Sequence, residues 1–335
     1  VVARQAMATL PNGRHVEAIP IKSAAEQTLE GRELYEDHFC GEWPTNGLDA
    51  HSPESIVEAV REAGLVGMGG AAFPTWVKLS PNPDRPVDTL LVNGCECEPY
   101  LNADSRLMIE SAPAVITGAL LAARSAGAER IVVAIEDNKP QAAATIREAA
   151  DGTGIEVRTV PTKYPQGAEK QLVMAALGRT GPGGGLPLDI GVLVINVGTA
   201  AAVARAVVRG KPLTHRIVTV SGDGIASPKN LLVPIGVAYR DVLEAAGGLT
   251  ADAARVIAGG PMMGFTLGEF GVPVTKGTSG ITVLTHDNLR QAAETACVRC
   301  GRCVDVCPMD LVPTRIALAA RYRPVSYTHL RAHET

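Results

Sequence analysis

The stretch that decides the fold is Ile190-Gly-Val-Leu-Val-Ile-Asn-Val-Gly-Thr-Ala-Ala-Ala-Val-Ala-Arg-Ala-Val-Val208, the longest apolar run in the chain. Its length would suit a membrane span, but it contains Asn196, Gly198 and Arg205. The run is better explained as a strand at 191–196, a turn and a helix at 199–208.

The same order of strand and helix repeats upstream. The sequence predicts strands at 89–93, 130–135 and 155–160, and helices at about 104–126, 139–150 and 167–177. Strands separated by helices pair in parallel, so the pattern predicts an α/β sheet covered on both faces. Ahead of it, Ser52 as N-cap and Pro53 at the first helical position begin a helix that runs to about Ala63.

A glycine-rich loop follows that helix, from Gly64 to Lys78. Gly67, Gly69 and Ala72 formally satisfy the G-x-G-x-x-G/A pattern, but the dinucleotide fingerprint must follow a strand, and here it follows a helix. The ordinary Rossmann interpretation therefore fails. Closely spaced glycines still let backbone N–H groups approach a phosphate, and Lys78 would add a cation; a tight structural turn explains the loop equally well.

Polar turns follow three predicted elements at one edge of the sheet. These are Asn93 to Pro99, Tyr164 to Lys170, and Asn196 to Thr199. Each alone would suit a solvated turn. Because ligands collect at the carboxyl ends of parallel strands, the three turns and the glycine-rich loop together favour a phosphate-bearing ligand. Cys95 and Cys97 form a bare Cys-x-Cys, which is weak evidence for a metal.

Two further modules are predicted downstream. Strands at 216–222 and 228–234 flank a helix at 239–246, which suggests a small β-grasp-like module. A helical run from Leu289 to Ala296 then leads to Cys297-Val-Arg-Cys300-Gly-Arg-Cys303-Val-Asp-Val-Cys307-Pro308, the spacing of a [4Fe–4S] loop. A zinc ribbon would separate two Cys-x-x-Cys pairs by roughly 15 to 20 residues. In two-cluster ferredoxins the fourth cysteine ligates the other cluster, and no cysteine follows Cys307.

Composition excludes several classes of protein. With 335 residues and 46% hydrophobic content, the chain can bury sizeable cores, and its net charge of −4 gives no basic field for nucleic acid or anionic lipid. Seven cysteines, four of them in one loop, argue against a secreted disulfide framework and for a reducing compartment. We also expect the N-terminal module and the cluster domain to be incomplete, and 325–335 to be a non-native, adapter-like tail.

Seven motifs, taken in order, resemble the C subunit of the Rnf ion-translocating electron-transport complex and, more distantly, the flavin- and NADH-binding subunit of respiratory complex I. They are GMGGAAFPTWVKL, VNGCECEPYLNADSRLM, YPQGAEKQL, INVGTAAAV, VSGDGIASPKNLLVPIG, GGPMMG and CVRCGRCVDVCPM. A cobalamin reductase of propanediol-utilisation compartments is similar too.

The resemblance implies the following domains: a remnant of a β-rich domain at 1–30, an α/β domain for FMN and NADH at 45–210, an SLBB-like β-grasp domain at 213–262, and a truncated ferredoxin-like [4Fe–4S] domain at 288–324. It implies cofactor contacts at Gly67, Gly69, Gly70, Phe73, Lys78, Asn93, Glu96, Glu98, Glu169, Asn196 and Thr199, and cluster ligation by Cys297, Cys300, Cys303 and Cys307. The related family usually has glycine where Ala72 stands.

The function implied is oxidation of NADH by FMN, with single electrons passing to [4Fe–4S] clusters and on to a partner subunit at the cytoplasmic face of a membrane. The cofactors carry this chemistry, so no side chain is expected to act as nucleophile or general acid. Three alternatives remain: a soluble cobalamin-reductase-like flavoprotein, an electron-relay and docking subunit with a vestigial nucleotide site, and a zinc-stabilised binding module.

Overall fold

A computed structural model describes residues 6–21, 29, 31–80, 84–289, 295–307 and 311–322. The chain forms two compact units, Val1–Leu289 and Arg290–Thr335. The predicted tail at 325–335 lies outside the described residues, as do residues 290–294 of the helix predicted from Leu289 to Ala296.

The helices and strands follow one another in a simple order. They are β1 Ala6–Thr9, β2 His15–Ala18, α1 Gly31–Phe39, α2 Pro53–Glu62, α3 Thr75–Leu79, β3 Thr89–Gly94, α4 Ala103–Glu110, α5 Ala112–Ala126, β4 Arg130–Glu136, α6 Pro140–Ala149, β5 Glu156–Val160, α7 Glu169–Leu177, β6 Val192–Asn196, α8 Val197–Arg209, β7 His215–Ser221, β8 Lys229–Pro234, α9 Tyr239–Ala245, β9 Ala253–Ala258, β10 Phe265–Thr266, β11 Gly280–Thr285, α10 Arg302–Asp305 and α11 Pro313–Tyr322.

The centre of the first unit is a four-stranded sheet in the order β5-β4-β3-β6, and each neighbouring pair is parallel. Leu90 and Val92 of β3 lie in one core with α5 and α8, whereas Leu91 lies in a second core with α7. Alternate side chains of the strand therefore face helices on opposite sides of the sheet. This confirms the predicted α/β class.

Helices α5 and α8 cross at close range because α5 has a glycine at the contact. A Cβ on Gly118 would lie 1.7 Å from the carbonyl oxygen of Ala200. Only glycine fits there, and α8 is consequently held tightly against the core below the carboxyl end of β6.

The helix predicted at about 104–126 is wrong in one respect, since it is two helices. α4 ends at Glu110 and α5 begins at Ala112, with a bend of 96° between them. Pro113 lies in the first turn of α5, where its missing N–H is tolerated but the preceding residues are turned away from helical geometry. Within the described part of the chain, no single helix is long and apolar enough to cross a membrane.

Helix α1 lies between the β-rich remnant expected at 1–30 and the α/β domain expected from residue 45. Tyr35 and Phe39 of this helix pack against the main core, and the Arg209 guanidinium lies 3.8 Å from the centre of the Trp43 ring. Leu34, Tyr35, His38 and Phe39 have helical spacing, a short signal that the polar residues around them conceal.

The second sheet of the unit has the order β10-β9-β11-β7-β8. β11 pairs in parallel with β7, the other pairs are antiparallel, and α9 packs against the sheet through Tyr239, Val242 and Leu243. We call residues 215–285 the β-grasp module. Its last strand, β11, extends it past residue 262, the end expected from the sequence.

The second unit contains the four cysteines of the cluster motif. Two short helices, α10 and α11, are described in it, and residues 295 and 296 are not helical. Arg299 and Gly301 have φ of 56° and 78°, so the backbone adopts the left-handed conformation at two positions between Cys297 and Cys303.

Candidate functional site

Two of the predicted site residues lie at the carboxyl edge of the parallel sheet, where Asn93 of β3 is paired in register with Asn196 of β6. The sheet continues from β3 to β4 on one side and to β6 on the other, so this edge is its topological switch point. Asn93 Nδ2 donates to the carbonyl of Gly167 at 2.8 Å, and Asn196 Oδ1 accepts the N–H of Gly198 at 2.8 Å. Both side-chain amides thus fix the backbone around the carboxyl ends of β3 and β6, a region that we call the crevice.

The glycine-rich loop lies against the same edge. The N–H of Gly67 donates to the carbonyl of Phe73 at 2.7 Å and closes the loop. A Cβ on Gly69 would lie 3.6 Å from the Cβ of Asn196, so this part of the loop touches the strand end. Gly70 has φ of 114° and no atom within 4 Å of where a Cβ would be, which leaves open space beside the backbone.

Thr199 ties the loop to α8. It is 2% exposed, and its Oγ1 accepts the N–H of Met68 at 2.9 Å. The predicted cofactor contact is therefore also a structural anchor of the loop. Ala72 has φ of 51°, the left-handed conformation that glycine adopts at least cost, and Phe73 is half exposed at 47%.

Lys78 and Glu169 meet at this edge although 91 residues separate them. The Lys78 ammonium lies 2.7 Å from Glu169 Oε1 and donates to the carbonyl of Val194 at 2.9 Å. The side chain of Lys78 is 28% exposed and that of Glu169 is 44% exposed. The pair is thus partly open to solvent, with the cation held against the middle of β6.

A buried pair of acids lies behind the crevice. The Glu96 carboxylate accepts the N–H groups of Asp104 and Ser105 at 3.0 and 3.2 Å, and Asn196 Nδ2 donates to Asp104 Oδ2 at 2.6 Å. Burial, and then repulsion from Asp104, raises the pKa of Glu96 to about 8. Burial also raises the pKa of Asp104. The pair therefore holds a proton at neutral pH.

Arg216 of β7 supplies positive charge close to these acids. Its Nε donates to the carbonyl of Thr278 at 3.2 Å, and burial lowers its pKa to about 10, which leaves it charged at neutral pH. A cavity of about 30 Å³, lined in part by Asp104, Arg205 and Arg216, lies next to this group. It is large enough for ordered water.

Glu98 bonds to a turn of the β-grasp module. Its two carboxylate oxygens accept the N–H groups of Met262 and Met263, at 3.0 and 2.7 Å. The side chain therefore bonds to the β-grasp module, whereas the sequence predicts a role beside the nucleotides.

Several residues that shape the site were missed from the sequence: Met68, Asp104, Gly167 and Arg216. Their contacts join segments far apart in the chain, and only the position of Asp104 at a helix start gave a local signal. Cys95 is buried, and Cys97 Sγ accepts the N–H of Gly167 at 2.8 Å. Both cysteines thus support the backbone of the site.

The cluster cysteines are accessible in the second unit. Cys297, Cys300 and Cys303 are exposed and Cys307 is half-buried. Cys297 Sγ accepts the N–H of Arg299, and Cys307 Sγ that of Leu311, both at 3.4 Å. Over the residues described, no three His, Cys, Asp or Glu side chains are gathered closely enough to hold a metal ion. The four thiols match a cluster by donor type and spacing, and their sulfurs are spread apart.

Three families match in order along the chain. The Nuo51 FMN-binding domain matches residues 60–205, the SLBB domain 217–266 and the 4Fe-4S binding domain 293–311. These matches confirm the predicted FMN and [4Fe–4S] cofactors and the order of the domains.

Curated relatives extend the likeness over most of the chain. The C subunit of the proton-translocating ferredoxin:NAD(+) oxidoreductase complex of Clostridium ljungdahlii is 46% identical over 80% of this chain and 58% of its own length. The C subunit of the Na(+)-translocating ferredoxin:NAD(+) oxidoreductase complex of Acetobacterium woodii is 46% identical over 82% of this chain and 62% of its own. The chain is a homologue of these Rnf C subunits. It spans about three-fifths of their length.

Two further comparisons agree. The C subunit of the ion-translocating oxidoreductase complex of Rhodobacter capsulatus is 43% identical over 89% of this chain and 57% of its own. A crystal structure of an NAD+-reducing [NiFe]-hydrogenase in the air-oxidised state aligns with a TM-score of 0.59 and 27% identity, over 73% of this chain and 48% of that one. The Rnf C homologue therefore shares its fold with a subunit of that enzyme.

The residues at the sheet edge fit a flavin mononucleotide. The open space beside Gly70, the N-terminal end of the 13-residue helix α8 and the Lys78 ammonium together offer N–H donors and positive charge to a phosphate. The four thiols of the second unit fit a [4Fe–4S] cluster by chemistry.

Proposed function

We propose that this Rnf C homologue is the NADH-oxidising, electron-input part of a membrane-associated electron-transport complex. FMN lies at the carboxyl edge of the parallel sheet, and electrons leave singly through iron–sulfur chemistry toward a partner subunit. The chain docks peripherally at the cytoplasmic face of the membrane.

The observation that carries this proposal is the convergence at one sheet edge of the glycine-rich loop, the start of α8 and the Lys78–Glu169 pair. Two of these features favour an anionic phosphate. The family match to the Nuo51 FMN-binding domain covers all three.

The side chains at the sheet edge bind and orient the cofactor. Lys78 holds positive charge beside β6, while Thr199 and Asn196 fix the loop and the helix around the flavin. Bound FMN would supply the chemistry that converts the two-electron oxidation of NADH into single-electron transfer. No side chain forms or breaks a covalent bond, so the rate depends on positioning and electrostatics.

Replacement of Lys78 tests the location of the FMN site. Lys78→Met keeps the apolar stem and removes the charge, and we expect FMN affinity, measured by quenching of flavin fluorescence, to fall at least about tenfold. NADH oxidation with an artificial electron acceptor should fall with it at subsaturating FMN. Lys170→Met is the matched control, because Lys170 is an exposed lysine on α7 close to Glu169.

The proposal predicts a loss for Lys78→Met and none for Lys170→Met. Equal FMN affinity in both variants would place the flavin elsewhere. FMN binding without NADH oxidation in the wild-type chain would instead favour an electron-relay subunit with a vestigial nucleotide site.

A further inference from the structure

The Glu98 carboxylate accepts hydrogen bonds from two consecutive backbone amides. Oε2 accepts the N–H of Met262 at 3.0 Å and Oε1 that of Met263 at 2.7 Å. These methionines lie in the turn 259–264 of the β-grasp module, and Glu98 follows β3 of the parallel sheet. One side chain therefore joins the two sheets by charge-assisted hydrogen bonds.

The turn is shaped around this carboxylate. A Cβ on Gly260 would lie 2.3 Å from Glu98 Oε2 and 2.6 Å from its Cδ, and the three nearest atoms all belong to Glu98. Gly260 is not in the left-handed region, so its backbone conformation would accept any residue. Glycine is needed at 260 because Glu98 occupies the space.

The segment that follows Glu98 is held by the same module. Ser221 Oγ donates to the carbonyl of Tyr100 at 2.6 Å, and the N–H of Asn102 donates to Thr219 Oγ1 at 3.2 Å. A Cβ on Gly280 would lie 2.3 Å from Leu101 Cδ2. This segment leads directly to Asp104, whose N–H is accepted by Glu96 in the crevice.

The β-grasp module also supports the glycine-rich loop. Lys276 Nζ donates to the carbonyl of Gly64 at 2.6 Å, where α2 ends. A Cβ on Gly277 would lie 3.3 Å from the Cβ of Ala72 and 3.6 Å from the carbonyl oxygen of Gly70. Both segments that border the proposed flavin site thus rest on one module.

We propose that the β-grasp module braces the FMN site and that Glu98 is the positioning residue that fastens it. This inference rests on the proposed function for its effect on FMN, and on contacts within the chain for the brace itself.

Hydrogen–deuterium exchange on the flavin-free chain tests the brace directly. In Glu98→Ala we expect exchange to accelerate at least about tenfold in both 98–104 and 259–264, because two amides lose an ionised acceptor. Gly260→Ala should reproduce the effect, since the added methyl group displaces the Glu98 side chain. Gly268→Ala is the matched control: it lies in the same module, with nothing within 4 Å of the new methyl group and no left-handed φ.

FMN affinity gives the second readout. Glu98→Ala and Gly260→Ala should both weaken FMN binding by about tenfold. The double variant should lose much less than the product of the single effects, because the two residues act through one contact. Glu98→Gln, which keeps one acceptor oxygen, should fall between the wild type and Glu98→Ala, and it serves where Glu98→Ala does not fold.

Unchanged exchange in both 98–104 and 259–264 in Glu98→Ala and Gly260→Ala would overturn the proposal. Because exchange is measured without flavin, it reports on the brace even if the wild-type chain does not oxidise NADH. Failure of the brace and failure of the proposed function are therefore distinguishable.

Discussion

Thr199→Val removes one hydrogen bond at the centre of the proposed site. Valine has nearly the shape of threonine, so packing inside α8 is preserved while Oγ1 is lost. The N–H of Met68, which Thr199 accepts at 2.9 Å, then loses its acceptor in a place with little access to water.

The magnitude follows from this burial. A buried donor left without an acceptor costs about 1 to 3 kcal/mol. A middle value of about 2 kcal/mol would lower the unfolding midpoint of the first unit, Val1–Leu289, by roughly 3 °C. Because Met68 belongs to the glycine-rich loop, part of this cost should also weaken FMN binding, by about threefold to tenfold.

Thermal unfolding of the flavin-free chain and a fluorescence titration with FMN measure the two effects. Thr199→Ser keeps the acceptor and should retain most of the FMN affinity. Thr117→Val is the second control, since buried Thr117 in α5 donates to the carbonyl of Pro44, far from the site in sequence and contacts. An unchanged midpoint and unchanged FMN affinity in Thr199→Val would refute the anchoring role.

Three other predictions follow from single residues. Because the pKa of Glu96 is raised from 4.5 to about 8, the folded state binds a proton that the unfolded state does not, and its stability should fall as pH rises through that window. Glu96→Gln should flatten the pH dependence of the urea midpoint, whereas an equal slope in this variant would contradict the buried acid pair. Ala72→Gly should raise the free energy of unfolding by up to about 1 kcal/mol, because φ at 72 is left-handed; a loss of stability would count against strain there. Cys303→Ser should lower iron content and cluster absorbance without changing FMN binding, since the cysteines lie in a separate compact unit; a parallel loss of FMN would contradict this separation.

The sequence was sufficient for the elements that depend on local pattern. Four apolar strands separated by helices, two of them ending at Asn93 and Asn196, predict the parallel sheet. Ser52 before Pro53 predicts the start of α2, and the Ser52 hydroxyl accepts the N–H of Ser55 at 3.2 Å. Pro113 could have revealed the break between α4 and α5, because proline favours the first turn of a helix.

Contacts between segments that are distant in the chain leave no local pattern in the sequence. The bond from Asn196 to Asp104 joins residues 92 apart, and that from Glu98 to Met262 joins residues 164 apart. Glu96 and Glu98 both accept backbone N–H groups, Glu96 from the start of α4 and Glu98 from the β-grasp module. Which partner each carboxylate finds depends on the packing of the β-grasp module against the parallel sheet, and that packing is a property of the whole fold.

The most direct test of the central claim is the visible absorption spectrum of the anaerobic, FMN-reconstituted chain before and after addition of NADH. The account predicts that the flavin band bleaches on addition of stoichiometric NADH and returns with an electron acceptor. A bound flavin whose spectrum is unchanged by excess NADH would contradict the claim that this chain is the electron-input part of the complex.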